Sequence, residues 1–149
     1  RHTRFRNVTG VQTCALPISI LAFMTETERA PMLGAPLKAM TARTTTDPLQ
    51  LRRQLRDIAR RGYAIEAGEN EEGLMCIGVP ILERGGRPVA ALSLSAPEAR
   101  MTRPTRLDVI AALRAAATTV SRRLGYRGDL AAHPMAGPQG SRGTKESGI

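Results

Sequence analysis

One thiol, two hydroxyls and one carboxylate in the middle of the sequence could together form a reactive or binding site. Cys76 supplies the thiol, Ser93 and Ser95 supply the hydroxyls, and Glu66 precedes all three. A thiol can attack an electrophile, whereas hydroxyls can donate hydrogen bonds to an oxygen of a bound molecule. Nucleophilic attack and ligand binding require different neighbouring residues. The secondary-structure elements that carry these side chains therefore indicate which of the two is possible.

The nucleophile interpretation of Cys76 lacks a partner in the sequence. A catalytic thiol needs a nearby base or a lowered pKa. The two histidines, His2 and His133, lie near the ends of the chain. Cys14 lies in a segment that we interpret below as non-native, so the one native cysteine, Cys76, can form neither a zinc site nor an internal disulfide. We therefore expect no enzymatic activity and no metal or other cofactor, and a thiol enzyme built on Cys76 is the weakest alternative.

Residues 73–97 are expected to form a long β-hairpin that carries three of these side chains. Two runs rich in Val, Ile, Leu and Ala flank a Gly-Gly pair, and such a pair supplies the positive φ angles of a two-residue hairpin turn. This turn would place Arg84 opposite Arg87, Gly78 opposite Ser93, and Cys76 opposite Ser95.

Side chains alternate between the two faces of a strand, so this hairpin has two unlike faces. One face collects the bulky residues Ile77, Val79, Ile81, Leu92 and Leu94. The other collects the small or polar residues Cys76, Gly78, Ser93 and Ser95. The bulky face requires helices to cover it, whereas the small polar face leaves room for a ligand.

Capping residues and apolar spacing predict the elements around the hairpin. Thr25 starts a short helix that runs to Leu33, and Asp47-Pro48 starts a longer helix that ends at Gly62. A short strand over residues 63–67 carries Glu66. A helix over residues 105–124 is expected to cover the bulky face with one apolar stripe, formed by Leu107, Ile110, Leu113, Ala117, Val120 and Leu124.

The net charge of +9 is spread over the chain and does not define a nucleic-acid interface. The helix after Asp47 carries five arginines (Arg52, Arg53, Arg56, Arg60 and Arg61), which we interpret as a solvated face opposite the apolar stripe. No second helix lies at helix-turn-helix spacing. The acidic loop at residues 68–72 does not match the spacing of a calcium loop, so we interpret it as a solvated turn.

The two ends of the chain differ from its middle. Residues 1–18 resemble the conceptual translation of a sequencing adapter, and we interpret them as a non-native segment. Residues 127–149 are rich in Gly, Pro and Ser, which predicts a disordered tail. The folded domain is therefore expected over residues 19–126, beginning within a helix whose start is missing.

Several motifs, taken in order, resemble the C-terminal effector-binding domain of IclR-type bacterial transcription regulators. They are Arg43-Thr44-Thr45-Thr46-Asp47-Pro48, Arg61-Gly62-Tyr63-Ala64, Glu69, residues 73–80 (GLMCIGVP), residues 90–97 (AALSLSAP) and residues 120–126 (VSRRLGY). The resemblance implies an α/β (α+β) domain of GAF-like or profilin-like type. Its antiparallel sheet would be built around the long hairpin, with helices packed on one face.

The resemblance also implies a function and a set of site residues. The expected ligand-binding residues are Glu66, Leu74, Cys76, Ser93 and Ser95, and the expected ligand is a small organic or aromatic acid. The family implies a cytoplasmic homodimer or tetramer that contacts operator DNA through an N-terminal winged helix-turn-helix, which is expected to be missing from this fragment. A GAF-like sensor coupled to a non-DNA output is the main alternative.

Overall fold

Four helices and three strands make up residues 15–130, the part of the chain that the computed structural model describes. In chain order they are α1 (Ala15–Phe23), α2 (Glu26–Leu33), α3 (Pro48–Arg61), β1 (Ala64–Ala67), β2 (Leu74–Leu82), β3 (Pro88–Pro97) and α4 (Arg103–Arg123), with a short 3₁₀ turn at Glu98–Arg100. The mixed α+β class predicted from the sequence is confirmed. The predictions that concern His2, Cys14 and His133 lie outside the described residues.

Helices α2 and α3 begin at the capping residues that the sequence predicts. The Thr25 hydroxyl accepts a hydrogen bond from the Glu28 N–H, and the Glu28 carboxylate accepts one from the Thr25 N–H, which forms a capping box. The Asp47 carboxylate accepts a 2.9 Å bond from the Leu49 N–H. Gly62 ends α3 with a φ of 82°, in the left-handed region that glycine adopts without strain.

The three strands form an antiparallel sheet in the order β1-β2-β3, and the hairpin register is the predicted one from Leu74 to Ile81. Gly78 pairs with Ser93, and Cys76 pairs with Ser95. Strand β2 is the central strand, and every residue from Met75 to Leu82 on it is buried. A central strand that is buried throughout must be covered on both faces of the sheet.

The tip of the hairpin differs from the prediction. The register shifts between Ile81 and Leu82, so that Leu82 pairs with Pro88 and Val89 has no counterpart on β2. The connection spans residues 83–87, and only Gly86 of the Gly-Gly pair has a positive φ, of 77°. The predicted pairing of Arg84 with Arg87 is therefore wrong, because a bulge lengthens the turn beyond two residues.

Helices pack on both faces of the sheet, whereas the sequence predicted helices on one face only. Met75 and Ile77 of β2 pack against Met101 and against Ile110 of α4. On the opposite face, the backbone of Ala15 at the start of α1 lies directly over Gly78. The last helix covers the bulky face at Ile77, as predicted, but Leu94 on the same face is 39% exposed. Helix α1 adds a layer on the opposite face.

Helix α4 starts earlier than predicted and buries a narrower stripe. It begins at Arg103, because the Thr102 hydroxyl caps it by accepting a bond from the Thr105 N–H. Its buried residues are Ile110, Ala117 and Ser121. Leu107, Val120 and Leu124 were predicted to be buried but are exposed, at 57%, 38% and 45%. Leu107 and Val120 flank the stripe, and Leu124 lies beyond the last helical residue.

Both ends of the described region extend beyond the boundaries predicted for the domain. Helix α1 begins at Ala15, within the segment interpreted as non-native, and it ends at Phe23. At the other end, Leu130 is buried in the core, and the Tyr126 hydroxyl donates a hydrogen bond to the Asp129 carbonyl. The described region thus includes residues 127–130 of the predicted tail, residues 131–149 lie outside it, and the predicted boundaries stay a prediction.

Among the helices of residues 15–130, none combines the length and the apolar character needed to cross a membrane.

Candidate functional site

Three of the predicted site residues lie side by side across the sheet. Glu66 of β1 pairs with Cys76 of β2, and Cys76 pairs with Ser95 of β3. Directly paired residues on antiparallel strands point to the same face. The Cys76 Sγ and Ser95 Oγ atoms are 3.0 Å apart, within hydrogen-bonding distance for sulfur. We call the row formed by Glu66, Cys76 and Ser95 the polar row.

A second row on the same face consists of small residues, and the start of helix α1 lies over its central residue. This row consists of Ala64, Gly78 and Ser93. A Cβ atom added at Gly78 would lie 2.8 Å from the carbonyl carbon of Ala15, which is closer than real side chains approach. The room expected above Gly78 is therefore filled by the first turn of α1, and Ser93 on β3 is the exposed member of this row.

Ser93 and Ser95 lie on the accessible side of the site. Both serines are exposed, and among the described residues β3 pairs with β2 alone. Cys76 is buried, and the half-buried Leu74 packs against the main hydrophobic core. The structure thus combines two solvent-exposed hydroxyl groups with the buried thiol of Cys76 and the half-buried side chain of Leu74.

Glu66 is fully buried and has a structural partner that sequence reasoning did not identify. One carboxylate oxygen, Oε1, accepts hydrogen bonds from the backbone N–H groups of Glu69 and Asn70, at 2.5 and 2.9 Å. The other oxygen, Oε2, is buried and has no hydrogen-bond partner among the described residues. Glu66 therefore holds the loop between β1 and β2 against the end of the polar row.

Two threonines from the segment before α3 hold the same loop, and the sequence analysis treated that segment only as a connection. The Thr41 hydroxyl donates a 2.7 Å bond to the Gly68 carbonyl, and the Thr44 hydroxyl donates a 2.5 Å bond to the Glu69 carbonyl. The Arg43 side chain lies against Gly68 and forms an ion pair with Glu98. The threonine run within the family motif was the available signal for Thr44, whereas Thr41 lies outside that motif.

The arrangement offers hydrogen-bond donors and apolar surface to a molecule that carries oxygen atoms. The described residues contain no histidine, and no group of three or more His, Cys, Asp or Glu side chains among them is placed to hold a metal ion. Exposed hydroxyls can donate to a ligand oxygen, and Leu74 offers apolar surface next to them.

The fold and these motifs define a domain of bacterial transcription regulators. Residues 7–122 match the family model described as "Bacterial transcriptional regulator IclR C-terminal". The match covers well over half of the chain, so the chain belongs to this family, whose domain is the effector-binding part of the regulator. The matched region starts within residues 1–18, and the interpretation of that segment as non-native stays a prediction.

Individual relatives and solved structures agree with this assignment. The chain is 37% identical over 93 residues to the HTH-type transcriptional regulator KdgR of Escherichia coli, a match that covers 62% of this chain and 35% of KdgR. The crystal structure of the Thermotoga maritima IclR superposes with a TM-score of 0.74 at 40% identity, covering 77% of this chain and 47% of that one. The C-terminal domain of Escherichia coli KdgR superposes with a TM-score of 0.72 at 34% identity, covering 77% and 71%.

The chain thus spans about a third of the length of KdgR. These relatives are transcriptional regulators, and regulators of this family bind effectors and operator DNA. The resemblance predicted from the sequence motifs is confirmed.

Proposed function

We propose that this chain binds a small organic or aromatic acid through Glu66, Leu74, Cys76, Ser93 and Ser95. The observation that carries the proposal is the 3.0 Å contact between Cys76 and Ser95, which joins a buried thiol to an exposed hydroxyl on one face of the sheet. This face presents hydrogen-bond donors at its open side and apolar groups at its closed side. A small organic acid matches this face, because its carboxylate can accept hydrogen bonds and its carbon skeleton can pack against the apolar groups.

In this proposal the hydroxyls of Ser93 and Ser95 donate to an oxygen of the ligand carboxylate. Cys76 and Leu74 pack against the carbon skeleton, and Glu66 keeps the neighbouring loop in place. No arginine belongs to the polar row, so neutral donors hold the carboxylate, at about 1.5–3 kcal/mol for each charge-assisted bond. An affinity that depends on few such bonds suits a sensor of abundant metabolites.

The proposal extends to the whole protein, of which this chain is one domain. Its relatives include KdgR, which is named as an HTH-type regulator. We infer that ligand binding here controls an N-terminal winged helix-turn-helix on operator DNA, in a cytoplasmic homodimer or tetramer. The same relatives favour this output over a GAF-like sensor with a non-DNA output.

A thermal-shift experiment on the 149-residue chain tests the site. Propionate and benzoate serve as an aliphatic and an aromatic probe, and we expect at least one of them to raise the Tm, since a ligand that binds the native state stabilises it. The double substitution Ser93→Ala and Ser95→Ala should abolish that shift. The control is Thr27→Ala, which removes an exposed hydroxyl from α2 and should leave the shift intact.

Two outcomes would contradict this proposal. If the double variant shows the same thermal shift as the parent, the acid binds elsewhere. If neither acid shifts the Tm, the polar row does not bind this class of ligand.

We further propose that Cys76 has no catalytic role. The test uses Cys14→Ser as the background, so that Cys76 is the one remaining thiol. Alkylation of Cys76 should block the thermal shift. Hydrolysis of an ester or thioester substrate should proceed at the same rate before and after alkylation. Turnover that disappears on alkylation would support the thiol enzyme instead.

A further inference from the structure

Three arginines surround a small cavity where α2 meets α3, away from the polar row. The cavity has a volume of about 50 Å³ and is lined by Glu26, Arg29, Arg52, Leu55 and Arg56. None of these residues belongs to the polar row or to the loop that Glu66 holds. The function proposed above uses none of them.

Arg29 is the unusual member of this cluster, because its side chain is only 7% exposed. Its Nε atom donates a 2.9 Å bond to Glu26 Oε2. Its two terminal nitrogens, which together carry four N–H donors, form no further hydrogen bond within residues 15–130, and neither is fully closed to solvent. These donors are therefore available to a water molecule or an anion that enters the cavity lined by Arg29.

Glu26 forms no hydrogen bond to these terminal nitrogens of Arg29, and each of its two oxygens accepts from another nitrogen. Oε2 is bonded to Arg29, and Oε1 is bonded to an Nη atom of Arg52. Arg56 forms no ion pair with any described residue. Three positive charges therefore face one negative charge, which leaves an excess of two positive charges around the cavity.

We propose that this cavity, hereafter the arginine cavity, binds a small inorganic oxyanion of the phosphate type. Guanidinium groups present planar pairs of N–H donors that match the oxygens of phosphate, and a dianion would balance the excess charge. The volume suits such an ion, because room for one water molecule on the same measure takes about 10–15 Å³ and the arginine cavity offers about 50 Å³. A bound oxyanion would bridge α2 and α3 beside the existing Glu26 contacts.

The test measures binding of inorganic phosphate to the 149-residue chain by isothermal titration calorimetry, at constant ionic strength set with sodium chloride. We expect saturable binding of one phosphate per chain. Arg56→Gln should weaken it by about tenfold or more, since it removes one charge-assisted contact. Arg56 is exposed, so its substitution should leave the fold intact.

Arg53→Gln is the matched control, because Arg53 is an exposed arginine on the same helix that does not line the arginine cavity. This variant should bind phosphate within about twofold of the parent, since only screened long-range charge is lost. Two results would overturn the proposal: no saturable binding of phosphate above the chloride background, or equal weakening in the two variants. Equal weakening would indicate diffuse attraction to a basic helix.

Discussion

The Ser121 hydroxyl on α4 accepts a 2.9 Å hydrogen bond from the backbone N–H of Leu82, at the end of β2. Both residues are fully buried. The register of the hairpin shifts at this point, so the Leu82 N–H finds its acceptor on a helix. This bond adds a polar contact between α4 and the sheet just before the hairpin tip.

Removing this hydroxyl should destabilise the protein. In Ser121→Ala the Leu82 N–H remains buried but loses its acceptor, and we expect the free energy of unfolding to fall by about 1–3 kcal/mol. Urea denaturation followed by circular dichroism measures the change. The control is Thr119→Ala, which removes an exposed hydroxyl bonded within the same helix to the Ala115 carbonyl and should alter stability by less than about 0.5 kcal/mol. Equal losses in the two variants would contradict this role of Ser121.

The close approach of α1 to β2 should make Gly78 intolerant of any side chain. A Cβ at this position would meet the Ala15 backbone, which cannot rotate away as a side chain can. We expect Gly78→Ala to cost about 1–3 kcal/mol, which would lower the Tm by several degrees. Gly85→Ala is the control, because no heavy atom lies within 4 Å of a Cβ there. An unchanged Tm in Gly78→Ala would mean that α1 does not pack as described.

The bonds from Glu66 to the loop amides should be detectable by hydrogen exchange. In Glu66→Ala the N–H groups of Glu69 and Asn70 lose their acceptor, so both amides should exchange faster, and the protein should lose about 2 kcal/mol of stability or more. Glu66→Gln keeps a side-chain carbonyl that can accept both bonds and should retain most of the protection. Exchange rates that are the same in the parent and in Glu66→Ala would show that the loop does not depend on Glu66.

Glu28 should make stability depend on acid pH. The backbone N–H of Thr25, followed by the Thr25 side chain and the Arg87 guanidinium, holds the pKa of Glu28 below its ordinary value of 4.5. A carboxyl with a lowered pKa in the folded state stabilises the protein fully above the unfolded-state pKa, and this contribution disappears as the pH falls through the folded-state pKa. The urea midpoint should therefore decrease below about pH 4.5.

Two variants distinguish the contribution of Glu28 to this pH dependence from the contribution of the other carboxylates. Glu28→Gln should show a lower midpoint at neutral pH and a flatter decline toward acid. Glu72→Gln, an exposed glutamate in the loop between β1 and β2, should follow the parent curve. A decline in Glu28→Gln as steep as that of the parent would assign the acid sensitivity to other carboxylates.

The sequence by itself determined the elements that depend on neighbouring residues. The caps at Thr25 and Asp47 act within one helical turn, so the starts of α2 and α3 were predicted correctly. The alternation of bulky and small residues likewise predicted the pairing of Cys76 with Ser95, because a slip of one position would have moved every apolar side chain to the wrong face. The family motifs are also short runs of neighbouring residues, so they could be identified from the sequence alone.

Only the tertiary structure decided which sites are open and which are filled. The backbone of Ala15, which is remote in sequence, packs directly over Gly78 and leaves no room for a ligand there. Glu66 turns one oxygen to loop amides rather than to a ligand, and the arginine cavity exists because α2 meets α3. Such contacts join segments far apart in the chain, and periodicity and capping act only between close neighbours. The local pattern therefore carries no signal of where two remote segments meet.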